Sequence, residues 1–170
     1  MNVARMRERG HYARVLQVLD AFLASWEDAV AAALPARWRD WLHGRSRRAW
    51  LQQDLRVLGA APLAGPVPVP ELATPAAAWG SLYVMEGSAL GGQVITRELA
   101  RVGLHPGAGA AYFHGFGPDT GAMWREFRAL LETELVPPER VPLACEAARQ
   151  TFDHLSFLLE QALHERTPAA

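Results

Sequence analysis

Residues 79–95 constrain the fold of this chain more than any other segment, because they combine an apolar helical pattern with four glycines, three of them close together. The segment reads WGSLYVMEGSALGGQVI, and Gly87, Gly91 and Gly92 fall within six positions of one another. Each glycine inside a helix costs about 1 kcal/mol relative to alanine. A helix that keeps all three must therefore gain either close packing against another helix or contact between its backbone and a flat ligand. The glycines alone leave both possibilities open.

The remaining sequence also predicts helices, and no strand alternation of any length is present. Thr74-Pro75 predicts the start of the glycine-containing helix, with threonine as N-cap and proline at the first helical position. Helical spacing of apolar residues recurs in 12–33, 36–58, 76–102, 119–135 and 139–165, and Gly44 and Ser46 are potential interruptions of the second segment. The proline-rich stretch 60–75 and the glycine-rich stretch 103–118 predict connections.

We therefore predict an all-α, single-domain fold over residues 1–170. Residues 1–10 are expected to be a flexible or truncated N-terminus, and residues 164–170 a flexible tail. The third helix is expected to bend near its glycines, because glycine permits a kink.

Composition narrows the functional classes. The net charge is −1, which gives no basic field for nucleic acid. All 17 cationic residues are arginines, so an anion site would have to use the planar guanidinium. Cys145 is the single cysteine, which favours a cytoplasmic setting. The sequence shows no secretory signal and no long uncharged apolar run, so we expect no membrane span.

The stretch YVMEGSALGGQ resembles the distal helix of haem oxygenases, in particular bacterial members that supply biliverdin to phytochromes. The resemblance extends over 12–163, through segments whose order and spacing match the family. These segments are Tyr12-Ala13-Arg14-Val15-Leu16 with Glu27, Asp54-Leu55 with Leu58-Gly59, Tyr112-Phe113 with Gly115-Phe116-Gly117, Trp124 with Phe127, and Ala147-Ala148 with Phe152 and Leu155. It implies a haem-oxygenase-like helical bundle with a kinked, glycine-rich distal helix.

The resemblance also implies a reaction, the oxidative cleavage of haem to biliverdin, carbon monoxide and iron. Haem would be both substrate and cofactor, and a reductase or ferredoxin would supply electrons. A bacteriophytochrome is the implied recipient of the product, and a homodimer is a further expectation. Gly87, Gly91 and Gly92 would let the backbone approach the porphyrin. Ser88 stands where animal-type members have aspartate, and it would act through ordered water.

Further residues are implied to hold the haem. Arg125 and Arg128 would pair with the propionates, although a solvated helix face paired with glutamates is the alternative. Tyr83 and Tyr112 could add hydroxyl contacts, and core packing explains both equally well. Phe152 matches an aromatic position of the last helix. Glu86 is unusual within an apolar helix, and we expect it to make a structural hydrogen bond to another helix.

The family's axial histidine lies on a helix that precedes the segment matched by Tyr12, and only eleven residues precede Tyr12 here. Two explanations are open: the native protein begins upstream of Met1, or the scaffold has lost its ligand. His11 is the nearest substitute, although a solvated histidine near a helix start is the simpler interpretation. The chain as written is therefore expected to show little haem degradation. A non-catalytic scaffold that binds a tetrapyrrole or a protein partner, and a helical adaptor whose glycines only pack helices, are the alternatives.

Overall fold

The computed structural model describes residues 3–164, with seven α-helices and three short 3-10 helices. The α-helices are α1 (Arg9–Ala33), α2 (Arg39–Arg45), α3 (Arg48–Leu58), α4 (Pro75–Ala100), α5 (Ala111–His114), α6 (Thr120–Glu134) and α7 (Arg140–His164). The 3-10 helices are Val3–Arg7, Ala36–Trp38 and Gly117–Asp119. No strand forms within the described residues, and the all-α prediction is confirmed.

Helix α4 lies at the centre of the bundle and contacts α1, α5, α6 and, along much of its length, α7. Its start follows the sequence signal, because the Thr74 hydroxyl accepts a hydrogen bond from the Ala77 amide at 3.2 Å. Trp79 is fully buried one turn further on. The glycines do not interrupt the helix, which runs unbroken to Ala100. A bend near Gly87 to Gly92 stays a prediction.

The single helix predicted over 36–58 is divided at Ser46, one of the two interruptions foreseen from the sequence. The Ser46 hydroxyl accepts from the Arg48 amide at 3.3 Å and donates to the Glu27 carboxylate at 2.7 Å. Helix α3 then ends at Gly59, whose φ of 67° places it in the left-handed region that favours glycine. The division lets the chain turn between α2 and α3 beside α1.

The N-terminus differs from the flexible segment expected over residues 1–10. Val3–Arg7 is a 3-10 helix, and Met6 is completely buried because this turn packs on α1 and α4. Arg7 pairs with Glu98 near the end of α4 and so ties the two segments together. Residues 1–2 and the expected tail beyond His164 lie outside the described residues.

The loop expected over 103–118 contains α5, because a buried aspartate from another helix caps it. The carboxylate of Asp54 on α3 accepts hydrogen bonds from the Ala111 amide at 2.9 Å and the Tyr112 amide at 2.8 Å. Asp54 is fully buried. Burial raises the pKa of this carboxyl, and the two amide donors act in the opposite direction.

Aromatic packing fills the region between α2, α4 and α6. The ring of Trp79 lies 5.0 Å from that of Trp38, 5.6 Å from Trp41 and 6.1 Å from Phe127. Trp26 of α1 is also buried, and its indole donates to the Ser81 hydroxyl at 2.7 Å. These tryptophans therefore belong to the core.

None of the described helices combines the length and the apolar character that crossing a bilayer requires.

Candidate functional site

An exposed apolar strip runs along the second half of α4, and we call it the open face. It consists of residues three or four positions apart, which share one side of a helix: Tyr83, Gly87, Leu90, Gly91 and Val94. Tyr83, Leu90 and Val94 are 48%, 40% and 53% exposed. A contiguous apolar strip of this kind marks a place where something else binds.

The two glycines of the open face leave the helix backbone accessible. A Cβ atom added at Gly91 would meet no other described atom within 4 Å. One added at Gly87 would meet only the ring of Trp124, at an ordinary contact distance of 3.7 Å. Helix packing therefore does not explain these two glycines. Their backbone is available to a flat ligand.

Packing does explain the other two glycines of α4. A Cβ at Gly80 would overlap the Ala144 carbonyl of α7, and a Cβ at Gly92 would lie 2.5 Å from the Phe113 carbonyl oxygen. Gly92 is buried against α5. The sequence grouped Gly92 with Gly87 and Gly91 as a ligand contact, and the structure assigns it to packing instead.

Ser88 follows Gly87 and is exposed, yet its hydroxyl is held by two partners. It donates to the Met85 carbonyl at 2.7 Å and accepts from the Arg47 guanidinium at 3.1 Å. The same Arg47 nitrogen donates to the Met85 carbonyl at 3.0 Å. The hydroxyl therefore has a defined orientation beside the open face.

Helix α6 borders the open face through Trp124, whose ring centre lies 5.3 Å from that of Tyr83. Arg128 is one turn after Trp124 on the same side of α6, and Arg125 is adjacent in sequence. Both arginines are exposed, and neither forms an ion pair within residues 3–164. The alternative pairing with Glu126 is not observed, because Glu126 pairs with Arg45.

Two aromatic residues predicted to bind the ligand are placed differently. Tyr112 is 2% exposed, and the Arg47 guanidinium lies 4.9 Å above its ring, so its hydroxyl is not available to the open face. Burial raises the pKa of this hydroxyl. Core packing, the alternative interpretation, accounts for Tyr112. Phe152 is 61% exposed on α7, and no described ring contact joins it to Tyr83 or Trp124.

The histidines do not converge on the open face. In the described part of the chain, no histidine atom lies within 4 Å of a Cβ position at Gly87 or Gly91. His11 lies at the start of α1, where burial and the nearby Arg5 lower its pKa. His154 contacts the Pro68 carbonyl at 2.7 Å, which fits a structural role. Residues 3–164 contain no cluster of three or more metal-ligating side chains.

The sequence did not identify Arg45 and Arg47 as site residues. Arg45 pairs with Glu86 at 2.9 Å and with Glu126 at 2.9 Å, which confirms that Glu86 makes a structural hydrogen bond to another helix. Burial raises the pKa of Glu86, and the neighbouring Arg45 and Arg47 oppose that shift. Three arginines within four positions, 45–48, were the available signal. They line a cavity of about 440 Å³ on another side of α4, together with Met85.

The described residues form an all-α bundle, and its central helix exposes glycine backbone in an apolar strip. Such an arrangement is suited to holding a flat apolar ligand. The protein-family model described as "Heme oxygenase" matches residues 68–161. A haem oxygenase from Xanthomonas campestris pv. campestris (strain 8004) is 38% identical over 149 residues, which cover 87% of this chain and 88% of that relative. The chain belongs to the haem oxygenase family.

A solved structure has a similar fold. The crystal structure of the NO- and CO-bound haem oxygenase from Neisseria meningitidis is similar, with a TM-score of 0.76 at 23% sequence identity. The match covers 93% of this chain and 79% of that one. At this identity, the likeness shows a common fold.

Proposed function

We propose that the open face of α4 binds haem and that the chain takes part in the oxidative degradation of haem to biliverdin, carbon monoxide and iron. The observation that carries this proposal is the accessible backbone at Gly87 and Gly91 inside an exposed apolar strip. Membership of the haem oxygenase family supports the reaction class.

The residues present fit the chemistry of haem. A porphyrin is flat and apolar at its centre, and Gly91 leaves room for it against the helix because no described atom occupies the space of a Cβ. Tyr83, Leu90 and Val94 offer apolar contact around the glycines. The propionates carry negative charge, and Arg125 and Arg128 on the helix of Trp124 form no ion pair within residues 3–164.

Haem, when bound, supplies the iron at which oxygen is activated. The protein contributes position and hydrogen bonding. The glycine backbone of α4 would define how closely one side of the ligand is approached. Ser88 would hold water beside Gly87, and the Arg45–Glu86 ion pair would fix the helix from the opposite side. Apolar side chains would limit the entry of bulk water.

Electron supply, delivery of the product and cellular compartment are further parts of this proposal. The reaction consumes electrons, so an external donor such as a reductase or ferredoxin is required. The supply of biliverdin to a bacteriophytochrome rests on the sequence resemblance around YVMEGSALGGQ. The single cysteine favours the cytoplasm.

A second candidate, a haem-binding member without turnover, is favoured by one observation. His11, the nearest substitute for the family's axial ligand, has its Nε2 atom buried at the start of α1 and so does not present it to a ligand. Iron without a protein ligand would lack the axial donation that tunes its reactivity.

Optical titration with haemin tests binding, and a turnover assay separates the two candidates. Haem binding predicts a saturable Soret shift at one equivalent. Catalysis predicts that this band decays and biliverdin absorbance rises when a reductant and oxygen are added. A Soret shift without biliverdin would favour the non-catalytic candidate. The absence of any Soret shift would overturn the haem site itself.

A further inference from the structure

Arg47 is a buried cation whose hydrogen bonds go to neutral oxygen atoms. The residue is 8% exposed, and its guanidinium donates to the Met85 carbonyl and the Ser88 hydroxyl. A buried charge is costly unless it is compensated. The nearby arginines meet carboxylates: Arg45 pairs with Glu86, and Arg48 pairs with Asp20 at 3.1 Å. Among the described residues, Arg47 has no carboxylate within ion-pair distance, and its charge acts on Glu86 only at longer range. Its direct hydrogen bonds to Met85 and Ser88 are therefore the contacts to be explained.

The surroundings of Arg47 fix the direction of its side chain. Its guanidinium lies 4.9 Å from the centre of the Tyr112 ring, a distance suited to a cation–π contact. Tyr112 is itself held by the bond from its amide to Asp54. The planar fork of arginine is pre-organised for directional hydrogen bonds. Arg47 therefore reaches α4 from a rigid support.

Arg47 determines what the Ser88 hydroxyl can do. A serine hydroxyl has one hydrogen and two lone pairs. The hydrogen is directed to the Met85 carbonyl at 2.7 Å, and one lone pair accepts from Arg47 at 3.1 Å. One lone pair remains. Since Ser88 is exposed and follows Gly87, that lone pair can accept a hydrogen bond from water next to the open face.

We propose that Arg47 is a positioning residue for Ser88: it holds the hydroxyl as a hydrogen-bond acceptor beside the haem-binding face. This inference rests on the proposed function. A water that donates one hydrogen to the Ser88 hydroxyl keeps its other hydrogen for a second hydrogen bond, directed toward the haem-binding face. Without Arg47 the bond to the Met85 carbonyl alone would orient the hydroxyl, and the water would be held less firmly.

The test compares Arg47→Met, Ser88→Ala and the double variant in their haem complexes. The Soret spectrum of each complex is recorded as a function of pH, and the readout is the pH at which its change is half complete. This midpoint does not depend on turnover. Arg47→Met should shift this midpoint in the same direction as Ser88→Ala, by about one pH unit, the scale of one hydrogen bond. In the Ser88→Ala background, Arg47→Met should add little. Full additivity would show that Arg47 acts through its charge and would overturn the proposal.

Arg48→Met is the matched control, because Arg48 is the neighbouring arginine in the chain but pairs with Asp20 of α1 instead of Ser88. It should leave the midpoint nearly unchanged. Arg47→Lys keeps the charge and covers the case in which Arg47→Met does not fold. It should shift the midpoint in the direction of Ser88→Ala, and an unchanged midpoint in Arg47→Lys would contradict the positioning role.

A double-mutant cycle in the haem-free protein tests the hydrogen bond directly. Arg47→Lys and Ser88→Ala should be coupled, so that the unfolding equilibrium constant of the double variant departs from the product of the single effects by about threefold or more. Independent effects would overturn the proposal even in a protein that binds haem normally. A wild-type chain that binds no haemin would instead overturn the proposed function, and the inference with it.

Discussion

The four glycines of α4 fall into two pairs, one packed against other helices and one open. Gly80 and Gly92 face backbone carbonyls of α7 and α5, whereas Gly87 faces a single aromatic ring and Gly91 faces no described atom within 4 Å. All four carry the same propensity cost in a helix. Close packing offsets this cost for Gly80 and Gly92. Packing does not account for Gly87 and Gly91. A glycine in a helix therefore indicates a ligand only where the neighbouring element is absent.

The largest expected effect on stability comes from a substitution in the packed pair of glycines. Gly80→Ala places a methyl group on the Ala144 carbonyl, so α7 must shift along a tightly packed interface. We expect a loss of about 3 kcal/mol or more in the free energy of unfolding, at the upper range of overpacking effects. Urea denaturation measures it. Gly91→Ala is the matched control on the same helix and should gain roughly 0.5–1 kcal/mol.

Gly92→Ala should have a smaller destabilising effect. Its methyl group would lie 2.5 Å from the Phe113 carbonyl oxygen. Phe113 belongs to α5, a helix of four residues that can move more easily than α7. We expect a loss of about 1–2 kcal/mol by urea denaturation. If Gly92→Ala gained stability as Gly91→Ala is expected to, the assignment of Gly92 to packing would be wrong.

Gly91→Leu should separate stability from ligand binding. Leucine is the better helix former and the position is open, so the free energy of unfolding should rise by about 1 kcal/mol. A side chain on the open face would meanwhile obstruct haem, and we expect haemin affinity to fall by about tenfold or more. Thermal denaturation and optical titration of the same variant measure both quantities.

Gln93→Leu is the control for that variant, since Gln93 is exposed on α4 but does not belong to the open face. It should leave haemin affinity close to that of the wild type. Unchanged affinity in Gly91→Leu would remove the argument that the ligand rests on the glycine backbone.

The cavity on another side of α4 differs from the open face because it is lined by the partly buried carboxylate of Glu27, which belongs to α1. Glu27 provides the smallest expected effect on stability. Burial raises the pKa of Glu27 above its ordinary 4.5, and the hydrogen bond from Ser46 acts against that shift. The folded state then holds its proton more tightly than the unfolded state. Stability from this group is present below pH 4.5 and is lost as the pH rises through the folded-state pKa.

Glu27→Gln keeps an acceptor for the Ser46 hydroxyl and removes the ionisation. The variant should therefore gain stability relative to the wild type as the pH increases from 4.5 toward neutrality. Urea denaturation at several pH values measures this difference. A difference that decreases with pH would mean that the carboxylate is stabilised by its surroundings, in contradiction to the direction of the pKa shift.

The fold was largely predictable because local signals and burial agreed. Thr74 was recognised as a helix start from residue type alone, and it occupies that role. The helix α5 was not predictable, since its cap comes from Asp54, more than fifty residues earlier. The buried N-terminal turn around Met6 was missed for the same reason: its stability comes from α1 and α4.

The candidate site was predicted in part. The motif around Gly87 predicted α4 as the helix of the site, and Gly87, Ser88, Gly91 and Tyr83 lie on or beside its open face. Their role in binding stays a prediction. Tyr112 belongs to the core instead, because α5 turns its ring beneath Arg47. Arg47 itself carried no recognisable motif. A long, flexible side chain can reach several neighbours, and the sequence does not say which one it reaches.

By itself, the sequence determined that the chain is helical, where most helices begin and end, and that 79–95 carries the glycine motif typical of the family, since propensity, capping and periodicity act over a few residues. Only the tertiary structure decided which glycines are packed and which are open. It also decided that Arg45 meets a carboxylate while Arg47 meets Ser88. These outcomes depend on the distances between helices far apart in the chain, and no local pattern encodes such distances.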